Sequence, residues 1–368
     1  RWMDTTFTVR KGSNMKFFKA AIITVIVLVL VVGGLMVKTY YDAGEFKEIA
    51  PHFNAECKAI SGVLSSEDIT VDPKTGMAFI SSADRRTQWS GTSHVQKGAI
   101  YGLDLKARDP KLVNLTADFA EEFNPHGIGL WIGENGKSLF VVNHRQDGHF
   151  VEIFDFKNNR LIHRESIEGV LMHSPNDVIP VGPRAFYVTN DHGNSSELGR
   201  VVEEYLQLAR SLVLYYDGND FCIVAEGLAY SNGINLSPNG STVYVAATVG
   251  QKVCVYHREK GTGDLKLRHT IELGTGPDNI EVDESGNLWI GCHPKLLTFV
   301  KYSKDPQELS PSQVLKVTVQ KPDSYTVDEI YLNSGEPLSG SSVAAVSGDT
   351  MLIGSVFDAR VLLCTLSK

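Results

Sequence analysis

One pattern recurs six times along the chain: a polar turn built on Gly, Pro, Asn or Asp, then a short apolar strand with an aromatic or bulky residue. It is read in Asp72–Ser82, Gly133–Asn143, Val181–Asn190, Ser237–Ala247, Asp283–Cys292 and Ser347–Val356. The turn residues supply fixed or positive φ, and the β-branched and aromatic residues that follow suit half-buried strands. With Phe79, Phe140, Tyr187, Tyr244, Trp289 and Leu352 as markers, successive repeats lie 45 to 63 residues apart. That spacing holds one blade of about four strands, with insertions in the longer intervals. A sandwich or barrel has no reason to repeat a whole turn-plus-strand signature. The reading is therefore all-β: a six-bladed β-propeller over residues 57–368. One stretch breaks the pattern. In Ser196–Leu214, Val201, Val202, Tyr205, Leu208, Leu212 and Val213 recur at helical spacing, with Ser195 or Ser196 placed to cap the start. An interblade helix near 196–214 is expected, packed as a lid over one face. A position on a membrane surface is the competing reading, weakened by Glu197, Glu203 and Glu204, which anionic lipid would repel.

Ala20–Val37 contains no charged residue and approaches the thickness of a bilayer core as a helix. A core helix would show a polar face, and a cleaved signal would have a shorter apolar run before a small-x-small site. Here Lys38, Thr39, Tyr40 and Tyr41 follow. Residues 20–37 are read as an uncleaved signal anchor, 1–19 as a short cytoplasmic segment and 38–56 as a stalk. Met3 and Met15 are both candidate starts. Arg10, Lys11, Lys16 and Lys19 precede the span, while Asp42, Glu45 and Glu48 follow it. By the positive-inside rule this is a single-pass type II arrangement, with the propeller extracellular or in the secretory lumen. The net charge of −8 leaves no basic excess for phosphates, so a nucleic-acid partner is excluded. Of the five cysteines, none forms a C-x-x-C pair, which disfavours a zinc cage. Cys57 and Cys364 lie at opposite ends of the soluble region, as expected if a disulfide closes a circular fold. Cys222, Cys254 and Cys292 read as buried small hydrophobes. Sequons at Asn114, Asn194, Asn235 and Asn239 permit glycosylation.

Oxygen-bearing pairs lie beyond or between the repeated strands: Glu67-Asp68, Asn176-Asp177, Asn190-Asp191 and Asp278-Asn279, joined by Asn232. Any one alone reads as a solvated loop. Their shared phase places them at one end of a central channel, where crowded carboxylates repel unless a hard cation such as Ca²⁺ is held. His126 in FNPHGIG and His144 in VVNHR are placed for proton transfer at such a site. His192 and His293 are weaker candidates and read as structural. No G-x-S-x-G, H-E-x-x-H or phosphate-binding Gly loop is present.

The blocks SEDITVDPKTGMAFISS, FNPHGIG, VVNH, PNDVIPVGP, FYVTNDH, SNGINLSP, PDNIEVD, SGNLWIGCHP and GSSVAAV follow one another in the order seen in the paraoxonases. From Cys57 to Cys364 the chain resembles this family of calcium-dependent lactonases and arylesterases. The resemblance implies two calcium ions in the channel. The catalytic ion would be held by Glu67, Asn176, Asn232, Asp278 and Asn279. The structural ion would be held by Asp68, Asp177 and the carbonyl of Ile128. It also implies a histidine dyad of His126 and His144, a Cys57–Cys364 disulfide, and a free buried Cys292. The departures fall in substrate-facing loops: ADRRTQWSG after the first repeat, with Arg86 where relatives carry an aromatic, and the region of Lys295–Thr298. The expected activity is hydrolysis of a small lactone or aryl ester, with His126 as base assisted by His144; a site carboxylate such as Glu67 is the alternative base. The expectation from a different class is a non-catalytic chaperone or accessory subunit, tethered beside a membrane-protein partner.

Overall fold

The computed structural model describes residues 12–53, 55–91, 95–134, 136–321 and 324–366. Arg10, Lys11 and the turn residue Asn135 of the second repeat therefore lie outside the described residues. The chain divides into two units at Asp42. The first unit contains helix α1 (Gly12–Asp42). Its stretch Phe17–Asp42, in which an 18-residue window reaches a mean hydropathy of 3.0, is long and apolar enough to cross a membrane. The helix thus runs further at both ends than the expected 20–37 span. The expected stalk is also divided. Lys38–Asp42 continues α1, whereas the chain from Ala43 onward belongs to the second unit.

That second unit is a six-bladed β-propeller of six four-stranded antiparallel sheets. Strand β1 (Cys57–Ser61) comes first but belongs to the last blade. Blade one is β2 (Asp68–Val71), β3 (Met77–Ser82), β4 (Ala99–Asp104) and β5 (Val113–Asn114), with α2 (Arg85–Trp89) after β3. Blade two is β6 (Pro125–Gly133), β7 (Gly136–Arg145), β8 (Gly148–Lys157) and β9 (Arg160–Glu168). Blade three is β10 (Pro175–Pro180), β11 (Phe186–Asn190), β12 (Ser211–Tyr216) and β13 (Phe221–Leu228), with α3 (Glu197–Tyr205) between β11 and β12. Blade four is β14 (Ser231–Leu236), β15 (Thr242–Ala247), β16 (Lys252–Arg258) and β17 (Leu265–Glu272). Blade five is β18 (Gly276–Val282), β19 (Leu288–His293), β20 (Ser312–Lys321) and β21 (Ser324–Asn333), with α4 (Leu296–Lys304) after β19. Blade six is β22 (Ser341–Ser347), β23 (Thr350–Ser355) and β24 (Arg360–Thr365), completed by β1.

All six repeat markers fall on the second strand of their blade, and all six are buried. The apolar cores lie between blades rather than within them. One of these joins Phe140, Val142 and Ile153 of blade two to Val178, Phe186, Val188 and Leu214 of blade three. The first strands β2, β6, β10, β14, β18 and β22 touch in cyclic order and surround the central channel. The ring is closed at β1, which pairs with β24 so that Cys57 opposes Cys364, and those two residues form the disulfide.

One expectation about an element and one about a cysteine are corrected. The interblade helix ends at Tyr205, not Leu214. Gln207 takes a positive φ of 54°, which breaks the helix, and Ser211–Tyr216 forms β12 against β11. The apolar residues Leu212 and Val213 that fitted helical spacing are strand residues. Cys222 is exposed, whereas Cys254 and Cys292 are buried as expected.

Candidate active site and metal centre

The inner strands carry the same irregularity at the same level. Register shifts lie between Pro125 and Ile128, Pro175 and Val178, Ser231 and Ile234, Pro277 and Ile280, and Ser341 and Val343. A β-bulge places two residues against one and re-aims their side chains. The residues inside these bulges are His126, Asn176-Asp177, Asn232 and Asp278-Asn279, together with Ser342. Glu67 and Asp68 occupy the matching place at the start of β2. Glycines let the bulges nest: a Cβ on Gly127 would come within 2.4 Å of the Asp177 backbone, and one on Gly233 within 2.6 Å of Asn279. A side chain at either position would push neighbouring ligand strands apart.

Glu67, Asn176, Asn232, Asp278 and Asn279 are each no more than 5% exposed. The amide nitrogens have protein partners. Asn176 Nδ2 donates to Asp191 Oδ2 at 3.3 Å, Asn232 Nδ2 to Thr248 Oγ1 at 3.1 Å, and Asn279 Nδ2 to Glu67 Oε1 at 2.8 Å. This fixes the flip of each amide. The opposite ends, Asn176 Oδ1, Asn232 Oδ1 and Asn279 Oδ1, are buried without a hydrogen-bond partner, and so is Glu67 Oε2. An unsatisfied buried acceptor costs about 1–3 kcal/mol. Four in one ring would fit a hard cation, which takes carboxylate and amide oxygens as ligands. Among the described residues, no three His, Cys, Asp or Glu side chains gather into a metal cluster, so the oxygen set is mainly amide.

Electrostatics support the same fit. Burial raises the pKa of Glu67 and Asp278, against the Arg85 guanidinium in the first case and a His293 hydrogen bond in the second. His293 Nε2 lies 2.8 Å from Asp278 Oδ2, and its ring stacks on Phe299. Arg85, itself buried, lies 3.5 Å from Glu67 Oε2 and donates to Ser65 Oγ and the Pro125 carbonyl. Ser342 Oγ donates to the Glu67 carbonyl at 2.5 Å. Asp68 and Asp177, on β2 and β10, form a second acidic pair. Asp68 accepts from the N–H groups of Ile69 and Ile128, and Asp177 from those of Val178 and Ile234. These bonds tie adjacent blades together. Burial raises both pKa values well above the usual range, and carboxylate repulsion adds to it, from Glu67 on Asp68 and from Asp68 on Asp177. Each of the four carboxylate oxygens of Asp68 and Asp177 accepts from a backbone N–H, so none of them is orphaned.

His126 lies beside the ring, its Nε2 3.6 Å from Glu67 Oε1. Its Nδ1 is 2.9 Å from His144 Nε2, so the expected dyad is assembled. Burial, with Arg85 nearby, pushes His126 down to about 3. Such a ring is neutral at physiological pH and free to accept a proton. His144 continues to a third ring that sequence reasoning missed, His149, with the two Nδ1 atoms 2.9 Å apart. The Asp147-Gly148 dipeptide was the available signal: it marks a tight hairpin, and the resulting register pairs His144 with His149.

The remaining candidates are dispersed. Asn190 holds loop backbone by donating to the Leu171 carbonyl. Asp191 and Glu204 clasp His192 through its Nδ1 at 2.6 Å and Nε2 at 2.9 Å. Glu203 is buried, accepting from Gly193 N and Asn194 Nδ2. These two glutamates of α3 therefore bind inward, and exposed Leu198, Val201 and Tyr205 face outward. Arg86 stacks over the Tyr302 and Phe357 rings, beside Trp89. Asn114 and Asn239 are exposed sequon residues, whereas Asn235 donates its amide inward to the Ile280 carbonyl. Ala43 and Glu45 fasten the chain to the start of α4. The Ala43 carbonyl accepts from Leu296 N, and Glu45 Oε1 accepts from the N–H groups of Leu297 and Thr298.

The chain is 36% identical to rat serum paraoxonase/arylesterase 2, covering 84% of this chain and 88% of that protein. It is 35% identical to human serum paraoxonase/arylesterase 1, covering 87% and 91%. Among solved structures, a luciferin-regenerating enzyme matches with a TM-score of 0.55 at 14% identity, covering 85% of this chain and 95% of that one. A gluconolactonase-like protein matches at 0.52 and 16% identity, covering 88% and 98%. Those two likenesses speak for the fold alone. The arylesterase family model matches residues 46–366, almost the whole propeller unit, and by that match and the identities above the chain belongs to the arylesterase family.

Proposed function

We propose that the protein is a calcium-dependent hydrolase of lactones and aryl esters, held at a membrane by α1 with its propeller extracellular or in the secretory lumen. Hydrolysis of esters and lactones follows from membership of the family. The observation that carries the calcium reading is the set of four buried oxygens without a hydrogen-bond partner on Glu67, Asn176, Asn232 and Asn279, of which only Glu67 Oε2 has a charged neighbour, Arg85 at 3.5 Å. These residues and Asp278 would hold the catalytic ion; Asp68, Asp177 and the Ile128 carbonyl would hold the structural one. Bound there, calcium supplies Lewis-acid stabilisation of the negative charge that develops on the substrate carbonyl oxygen. The protein side chains do the proton work. His126, kept neutral by burial, takes a proton from the attacking water, and His144 orients its ring from the far side. Arg85 and Asn279 hold Glu67 in place.

The histidines also separate this reading from that of a tethered accessory subunit. A scaffold needs ion ligands for stability but has no use for a neutral, hydrogen-bonded imidazole pair beside them. The test is turnover of γ- and δ-lactones and phenyl acetate by the full chain, recovered with detergent from an alkaline-washed membrane fraction. Activity should vanish with a chelator, return with calcium, and fall by at least about a hundredfold in His126→Gln. A folded, calcium-loaded chain with no turnover would overturn the enzyme and favour the accessory role. Recovery in the soluble fraction would remove the anchor.

A further inference from the structure

We propose that His149 is the third ring of a relay, His126–His144–His149, which moves protons between the candidate active site and solvent. This inference rests on the hydrolase reading and adds a residue to it. The geometry is continuous: His126 Nδ1 to His144 Nε2 is 2.9 Å, and His144 Nδ1 to His149 Nδ1 is 2.9 Å. Both are hydrogen-bond lengths, so each contact holds one shared proton. The rings are also fixed in direction. His144 and His149 are directly opposed partners across the β7–β8 hairpin, on the same face of the sheet. His126 sits in the bulge of the adjacent strand β6. At the inner end, His126 Nε2 faces Glu67. At the outer end, the His149 ring is half-buried, and among the described residues no protein group bonds its Nε2.

Three imidazoles joined by two N–H···N bonds have two ordered proton arrangements. In the first, His126 donates from Nδ1 to His144, His144 donates from Nδ1 to His149, and His149 keeps its proton on Nε2 toward water. His126 Nε2 is then bare and faces the site as a base. When the water oxygen forms its bond to the acyl carbon, its proton goes to His126 Nε2. The two shared protons shift outward by one ring, and the His149 Nε2 proton leaves to solvent. The second arrangement now stands, with His126 Nε2 protonated. As the acyl carbon–oxygen bond breaks, that proton passes to the departing alkoxide. The shared protons shift inward, and His149 recovers a proton from solvent. One water is consumed, one hydroxy acid or alcohol–acid pair is formed, and the rings return to their starting state. Two rings alone would end at His144 Nδ1, which the third ring covers.

The groups around the outer end suit a ring that exchanges protons without storing charge. Burial and then the Arg200 guanidinium lower the His149 pKa, with Asp191 opposing and His173 adding to the effect. His144 is lowered well below its ordinary value by burial and by the rings on either side.

His149 acts through His144 and is a positioning residue, so its test needs a readout that a structural role would not move. We expect His149→Ala to lower kcat for phenyl acetate by at least about tenfold in weakly buffered solution, with KM within about twofold of wild type. Added imidazole should restore the variant in proportion to its concentration and leave wild type unaffected. An unchanged melting temperature in calcium serves as the fold control. A variant that retains wild-type kcat in weak buffer, or that imidazole does not rescue, overturns the relay. A wild-type chain without turnover is a failure of the hydrolase reading instead. In that event isotope-labelled histidine ring-nitrogen shifts still decide whether the chain exists. His144 should change its proton distribution in His149→Ala, and an unaffected His144 signal overturns the linkage.

Discussion

Asn176, Asn232 and Asn279 each commit their nitrogen to a protein acceptor and leave their oxygen buried without a donor. The folded chain alone does not recover that cost, so the three residues should matter to a cation far more than to the empty fold. Asn232 gives the cleanest case, because its partner Thr248 keeps a second bond to the Pro277 carbonyl at 2.7 Å. We predict that Asn232→Ala weakens calcium binding by at least about tenfold in calorimetry, while changing stability in chelator by less than about 1 kcal/mol. Equal losses in both conditions would make Asn232 a structural residue. The ligand candidates were visible in the sequence because Asn–Asp pairs recur in one phase relative to the strands. Their bulges were not, since a register shift belongs to two strands at once. Arg85, Ser342 and His149 escaped for a similar reason: each acts on a residue whose proximity is set by strand pairing or by the closing of the ring.

The strands of the repeat were legible as elements, whereas α3 was legible only in part. Helical periodicity located its start, where Ser196 accepts from Gly199 N, but ran on into β12 because apolar strand residues matched the spacing by chance. Charge alone also said little: Glu203 and Glu204 counted in the sequence only as residues that anionic lipid would repel, whereas they hold the helix to the loop after β11. His192 donates through both ring nitrogens, to Asp191 and Glu204, which requires the imidazolium form. Burial opposes that charge, but the two hydrogen bonds outweigh it and raise the pKa to about 9 from an ordinary 6.5. The sign follows from a raised folded-state pKa. The tether is at full strength below about 6.5 and is lost as pH rises through about 9. Hydrogen exchange in Glu197–Tyr205, corrected for intrinsic rate, should show steady protection at pH 6 and progressive loss between pH about 7 and 9. His192→Gln should remove that pH dependence. Protection that stays flat to pH 9 in wild type would assign the tether to Glu203 alone.

At the scale of the molecule, the propeller has to be closed, and the sequence placed the closing residues at its two ends without showing how they meet. Blade six takes three strands from the C-terminal end and only β1 from the N-terminal end. β1 pairs over five residues, Cys57–Ser61 against Arg360–Cys364, and its side chains are largely exposed. A short outer strand of this kind buries little apolar surface, so its ladder alone is a weak latch. The Cys57–Cys364 disulfide spans 307 residues. Confining so long a loop in the unfolded chain is worth on the order of 5 kcal/mol. Such a bond persists in an oxidising compartment, which supports the proposed placement of the propeller outside the cytoplasm. We therefore predict that Cys57→Ser combined with Cys364→Ser lowers the free energy of urea unfolding by about 3–5 kcal/mol and raises the m-value, because the unlinked denatured chain is less compact. Hydrogen-exchange protection should fall first in β1 and β24. If the midpoint moves by less than about 1 kcal/mol equivalent, the interblade cores close the ring by themselves. In that case the inner strands, knit by Asp68 to Ile128 and Asp177 to Ile234, would be the true fastening of the propeller.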